Sequence, residues 1–183
     1  KIPAAMDVLR FSLHERLDQE GTMIREATFS DAEAIADIYN YYILNTVITF
    51  EFDPIMPQEI MKRMEKYREV GPYLVCEENG EVIGYAYVSK FRERPAYEHS
   101  VESSIYLKKG AGGKGRGTKL YSELLSQVSL QCHVIVGGIA LPNEASVKLH
   151  EKCGFRKVAH FLGVGRKFGK WIDVGFWQKN GYS

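Results

Sequence analysis

Five glycines fall within eight residues of the stretch "KKGAGGKGRGTK", residues 108–119. Glycine gives up more conformational freedom on folding than any other residue, so such a run implies that something approaches the main chain closely. Lys108, Lys109, Lys114, Arg116 and Lys119 are interleaved with it. The chemistry this combination suits is phosphate binding. Amides at a helix start point outward, the helix dipole adds partial positive charge, and missing Cβ atoms let a pyrophosphate reach them. A solvated surface loop is the alternative that the loop alone leaves open. Two nucleotide-binding motifs fail here. From Gly112 the second glycine of a Walker A loop falls at Gly117, but Thr118 stands where lysine is required. G-x-G-x-x-G is met at Gly110, Gly112 and Gly115, yet the following apolar run "HVIVGGIA" offers no carboxylate for a ribose.

A second group with chemical potential is "FRERPAY", residues 91–97. Arginine grips a carboxylate or phosphinate through two parallel hydrogen bonds, so Arg92 and Arg94 could hold an anionic small molecule. The alternative is a solvated charged turn, which suits Arg92 and Glu93 better.

The elements that must position these groups follow from periodicity. Ser30 with Glu33 reads as a capping box ahead of a helix through Ala34, Ile35, Ile38, Tyr39 and Tyr42. A second helix starts at Pro57, buries Ile60, Met61, Met64 and Tyr67, and ends before Gly71. "YLVCEE" and "EVIGYAYV" flank Asn79-Gly80, a tight-hairpin dipeptide. "MIREAT", "VESSIYL", "HVIVGGIA", "FRKVAHFLGVG" and "WIDVGFWQ" read as further strands, with helices after the glycine loop and over residues 143–153. The order β-α-α-β-β-β-α-β-α-β-β predicts a mixed sheet with helices on both faces, an α/β (α+β) fold.

With 183 residues, 45 % of them hydrophobic, the chain is expected to form one domain, residues 23–183, around its own core. A net charge of +1 gives no overall pull toward nucleic acid or an anionic membrane, and no run reaches the roughly 20 apolar residues of a span. Cys76, Cys132 and Cys153 show no metal-binding spacing, so a reduced, cytoplasmic protein without a metal is expected. Residues 1–22 carry Met6, Leu9, Leu13 and Leu17 at helical spacing. They read as an extension, either vector-derived or a genuine arm.

Downstream of the glycine loop, residues 143–155 read "NEASVKLHEKCGF", with Asn143 placed to cap a helix and Gly154 to stop it. Taken with the loop, this segment resembles the GNAT superfamily of N-acetyltransferases. Its Q/R-x-x-G-x-G/A motif falls on Gly112–Gly117, with Gly112 replacing the usual Gln or Arg. Its N-x-x-(A/S)-x-x-x-(Y/H)-x-x-x-G-F motif falls on residues 143–155. "FRERPAYEHSVESSIYL", "VGRKFGKWIDVGFWQ" and "TFEFDP" narrow the resemblance to phosphinothricin and methionine sulfoximine N-acetyltransferases.

The resemblance implies a twisted, mostly antiparallel GNAT sheet and an enzyme that moves the acetyl group of acetyl-CoA to a small α-amine by direct attack in a ternary complex. Acceptors in that case are amino acids such as phosphinothricin. Alternatives are a protein N-terminus or another small amine, or a CoA sensor without catalysis. Acetyl-CoA would be held by Ile105, Tyr106 and Leu107, by Gly112, Gly113, Lys114, Gly115, Arg116, Gly117 and Thr118, and by Asn143 and Ser146. Glu102 would be the base that deprotonates the acceptor. His150 stands where relatives place a thiolate-protonating tyrosine and would serve as acid or base. Phe50, Glu51, Arg94 and Tyr97 would contact the acceptor. The family implies a homodimer; Phe176, Trp171 and Trp177, as large apolar residues, are expected in the core or a dimer surface and not as ligand platforms.

Overall fold

The computed structural model describes residues 21–181; the helical spacing at residues 6–17 lies outside them. In chain order the elements are β1 (Thr22–Glu26), α1 (Ala32–Asn45), α2 (Pro57–Arg68), β2 (Tyr73–Glu78), β3 (Glu81–Lys90), β4 (Ser100–Leu107), α3 (Arg116–Val128), β5 (Val134–Leu141), α4 (Glu144–Lys152), β6 (Arg156–Lys167) and β7 (Lys170–Asn180). This is the expected order. One seven-stranded sheet runs β1-β2-β3-β4-β5-β7-β6. Every neighbouring pair is antiparallel except β4 and β5.

Local signals set the boundaries. Asn79 and Gly80 take left-handed φ values of 53° and 81°, the turn the β2–β3 hairpin needs. Pro57 opens α2 at a first-turn position where no amide partner is lost. The capping box lies earlier than Ser30/Glu33. Asp31 Oδ2 accepts from the Thr28 amide at 2.6 Å, and Arg25 pairs with the same carboxylate at 2.8 Å. That ion pair with β1 fixes the frame, so a 3-10 turn at Phe29–Asp31 precedes α1.

Two cores form, one on each sheet face. Ile35, Ile38 and Ile43 of α1 and Ile60 and Met64 of α2 pack on Tyr73, Val75 and Tyr85. Leu120, Tyr121, Leu124 and Val128 of α3 pack on Leu74, Ala86, Val101, Ile135 and Ile139 from the other side. Burying each such aliphatic side chain contributes roughly 1.5–3 kcal/mol, which commits each helix to its face.

The feature that positions the site is where β4 and β5 part. They are in register only at Ser100↔Val134, Val101↔Ile135 and Glu102↔Val136. Beyond Glu102, β4 continues along β3 to Leu107 while β5 continues along β7 to Leu141. A V-shaped opening therefore begins at Glu102 and widens toward the glycine loop.

Candidate active site

At the wide end of the V, Gly113, Lys114 and Gly115 take φ values of 84°, 50° and 75°. Glycine fits this region; lysine there costs roughly 1–2 kcal/mol, strain of the sort concentrated at functional loops. Among the described residues, nothing lies within 4 Å of where a Cβ would stand at Gly110, Gly112, Gly113 or Gly115, and these leave the mouth open. α3 starts at Arg116, so the amides of Gly117 and Thr118 belong to its first turn, where no intrahelical acceptor exists.

The cations sort differently from expectation. Arg116 is buried, and its guanidinium forks onto Glu78 with Nη2 contacts of 2.5 and 2.6 Å and an Nε contact of 3.0 Å. It ties the head of α3 to β2, and its Nη1 donates to the Ala111 carbonyl of the loop at 3.4 Å, so the guanidinium is already paired and Glu78 offsets its charge. Lys108 pairs with Glu81, and Lys109 lies over the Tyr41 ring at 5.2 Å. Lys114 remains exposed at the loop tip.

Along the arm of the V, Ile105 and Leu107 face the α3 core while Tyr106 faces the α1/α2 core. The Leu107 carbonyl accepts the Tyr42 hydroxyl at 2.6 Å. Tyr106 is boxed edge-on by Tyr39 at 5.1 Å and Tyr42 at 5.3 Å. Asn143 caps α4, accepting from the Ser146 amide at 3.2 Å.

Glu102 and His150 stand on opposite faces of the sheet, not side by side. A Cβ on Gly138 would come 3.1 Å from Glu102 Oε1, whereas a Cβ on Gly137 would come 2.5 Å from His150 Nε2. Consecutive strand residues point to opposite faces, so the two bare glycines of β5 lie between the carboxylate and the imidazole. Glu102 sits at the narrow end of the V on the α1/α2 side. Burial raises its pKa, and the charge of Arg92 partly offsets this. His150 is buried on the α3/α4 side, edge-on to Tyr121 at 5.0 Å and Phe155 at 5.1 Å. Its Nδ1 lies 2.8 Å from the Ser146 carbonyl. A carbonyl only accepts, so Nδ1 carries the hydrogen and the neutral ring leaves Nε2 unprotonated. Burial lowers the pKa further than that hydrogen bond raises it. The protonated imidazole needed to quench a thiolate is therefore disfavoured.

The expected acceptor residues fall into two groups. Phe50 packs its ring on bare Gly165 of β6, where a Cβ would stand 2.3 Å from Cζ. Glu51 accepts from Arg63 at 2.7 and 3.1 Å and from Tyr39 at 2.8 Å. Burial would raise its pKa, but these bonds prevail and hold it low. Its carboxylate is thus already paired. Lys167, buried, donates to the Thr49 carbonyl at 2.8 Å and fastens this loop to the β6–β7 hairpin. Arg94 and Tyr97 instead line a cleft of about 360 Å³ at the start of β4, with Glu69, Arg92, Ser100 and Gln131. Arg92 lines that cleft and also bears electrostatically on Glu102. The turn-like setting of Arg92 disguised this in the sequence. Gly137-Gly138 was a readable signal, since paired glycines inside a buried strand mark close approach.

An open anion-receiving loop, a strand edge left free by its neighbour, and a half-buried carboxylate at the apex form a site for group transfer from a phosphate-bearing carrier. Residues 24–176 match the acetyltransferase (GNAT) domain model, and the chain belongs to that family. It is 39 % identical over 161 residues to the phosphinothricin N-acetyltransferase of Streptomyces coelicolor, covering 85 % of this chain and 94 % of that protein. To the L-methionine sulfoximine/L-methionine sulfone acetyltransferase of Salmonella typhimurium it is 38 % identical, covering 85 % and 92 %. A phosphinothricin acetyltransferase from Sinorhizobium meliloti, solved with acetyl-CoA, superposes with a TM-score of 0.84 at 36 % identity, covering 88 % of this chain and 89 % of that one.

Proposed function

We propose that this protein transfers the acetyl group of acetyl-CoA to the α-amine of a small amino acid whose side chain carries a tetrahedral phosphorus or sulfur centre, phosphinothricin and methionine sulfoximine being the named examples. The observation that carries the reading is the continuity of the V: open amides at the head of α3, then free β4 edge, then Glu102 at the apex. A strand rises roughly 3.3 Å per residue, so the apex lies about 16 Å below the loop, the separation over which an extended arm would run. The diphosphate would rest on the amides of residues 112–118, and the arm's amide groups on backbone from Ile105 to Leu107. Asn143 and Ser146 at the head of α4 would border the arm.

Chemically, an ammonium has no lone pair, so the acceptor must lose a proton before its nitrogen attacks the thioester carbon. Glu102 is the base in this reading. Its raised pKa suits it to take that proton near neutral pH, and Arg92, close enough to lower that pKa, would bind the acceptor's anionic end beside Arg94. Attack forms the C–N bond and breaks the C–S bond; the released thiolate takes a proton from solvent, not from the neutral His150. His150 serves as the packing partner of Gly137. Tyr97 borders the acceptor, while Phe50 and the Arg63-paired Glu51 shape the far wall. The protein is also read as a cytoplasmic homodimer. The edge strand β6 exposes Val158, Leu162 and Val164, with Trp171 beside them on β7, an apolar face suited to a second copy. Thiol release measured with acetyl-CoA over a panel of amino acids tests the assignment. Turnover confined to phosphinothricin-like acceptors is expected; turnover of peptide N-termini alone would overturn it.

A further inference from the structure

At the apex of the V, backbone pairing gives way to a side-chain bond. The last β4–β5 pair is Glu102↔Val136, and the Ser103 hydroxyl donates to the Val136 carbonyl at 3.2 Å. With its hydrogen committed, Ser103 Oγ accepts from the Tyr121 hydroxyl at 2.8 Å. Both residues are buried, Tyr121 completely. Tyr121 belongs to α3, the helix whose first turn forms the open loop. Its ring stacks on Phe155 at 5.8 Å and meets His150 edge-on, so its position is fixed from both sides. A buried hydroxyl is destabilising unless bonded, and phenylalanine would fill this space without that cost. The bond must therefore be accounted for by something other than packing.

We infer that Ser103 and Tyr121 form a pin that stops β4 and β5 from separating below Glu102, and so set the depth at which an inserted acyl group halts beside the carboxylate. They are positioning residues. Neither is open to the acceptor: Tyr121 is fully buried and Ser103 nearly so, and Ser103 shares the α3 face with Val101 while Glu102 occupies the other. The chain Tyr121 O–H to Ser103 O–H to Val136 C=O also fixes the apex relative to the head of α3. Diphosphate and acyl ends of the ligand would thus be held by one rigid body. Displacement of a reacting group by about 1 Å can cost a hundredfold in rate, so small losses of registration matter at this point. The catalytic half of this inference rests on the acetyltransferase reading; the structural half does not.

The test uses the full-length protein with Tyr121→Phe, Ser103→Ala and the double variant. Hydrogen exchange at the amides of residues 136–138 is followed alongside kcat, and alongside Kd for acetyl-CoA. In Ser103→Ala, which removes the bond to the Val136 carbonyl, the exchange there should quicken about tenfold and kcat should fall about tenfold, with Kd within about twofold of the parent. Ser103→Ala strands the Tyr121 hydroxyl, so the double variant should be more thermostable than Ser103→Ala. Unchanged exchange at residues 136–138 overturns the pin whether or not the protein is active. Quickened exchange with unchanged kcat overturns its positioning role. If the parent releases no thiol with any acceptor, the transferase reading fails, and the exchange measurement still decides whether the pin holds the apex.

Discussion

Replacing Gly137 with alanine introduces one methyl group at the point where the sheet is thinnest. The new Cβ would stand 2.5 Å from His150 Nε2 and 2.6 Å from Cδ2, far inside contact distance. The imidazole has little room to withdraw. It is 4 % exposed, its Nδ1 is bonded to the Ser146 carbonyl, and Tyr121 and Phe155 stand against its ring. Overpacking of this type costs about 1–3 kcal/mol. In a chain of this length each kcal/mol lowers Tm by roughly 2–4 °C, so a loss of about 2–12 °C is expected. Thermal unfolding by circular dichroism measures it.

The decisive comparison repeats the substitution in a His150→Ala background. With the ring gone the methyl has space, and the penalty should shrink by about 0.5–3 kcal/mol of coupling. An equal Tm loss in both backgrounds would refute the claim that His150 packs directly against β5 on the face opposite Glu102.

Gly112→Ala is the contrasting case. Among the described residues nothing stands within 4 Å of its Cβ, so stability should hold within about 0.5 kcal/mol while acetyl-CoA Kd, by calorimetry, weakens tenfold or more. Glu78→Gln breaks the charged fork on Arg116 and should cost about 2 kcal/mol in urea unfolding, since hydrogen bonds to charged groups contribute on that scale. Glu102 has a folded-state pKa above its unfolded value because of burial, so its protonated form favours folding. That contribution is present at low pH and is lost as pH rises through the raised pKa. Glu102→Gln should therefore match the parent's Tm in acid and exceed it at neutral and alkaline pH, as read by scanning fluorimetry across pH.

Much of this was legible in the residues themselves. Asn79-Gly80, Pro57 and the apolar periodicities locate the elements because each reflects a local dihedral or a local face. The open glycine loop was legible for the same reason: three of its left-handed residues, Gly110, Gly113 and Gly115, are written as glycine, and only Lys114 hides among them. What was hidden depends on pairing between distant segments. Arg116 reads as a phosphate ligand until Glu78, on another strand, is seen to take its guanidinium. Ser30/Glu33 reads as the capping box until Arg25 on β1 claims Asp31. That Glu102 and His150, two separate proton-transfer candidates in the sequence, lie on opposite sheet faces was hidden because sequence spacing says nothing about which face each occupies. That is decided by the register of β4 on β5, a parallel pairing with no turn to fix it.

In the proposed reaction Glu102, at the apex of the V, removes the acceptor's proton while the loop and β4 hold the carrier. Steady-state thiol release and calorimetry on Glu102→Gln, compared with the parent, test it most directly. Acetyl-CoA affinity should stay within about twofold and kcat should fall by roughly 10²–10⁴, the usual contribution of a general base. Full turnover in that variant would contradict it.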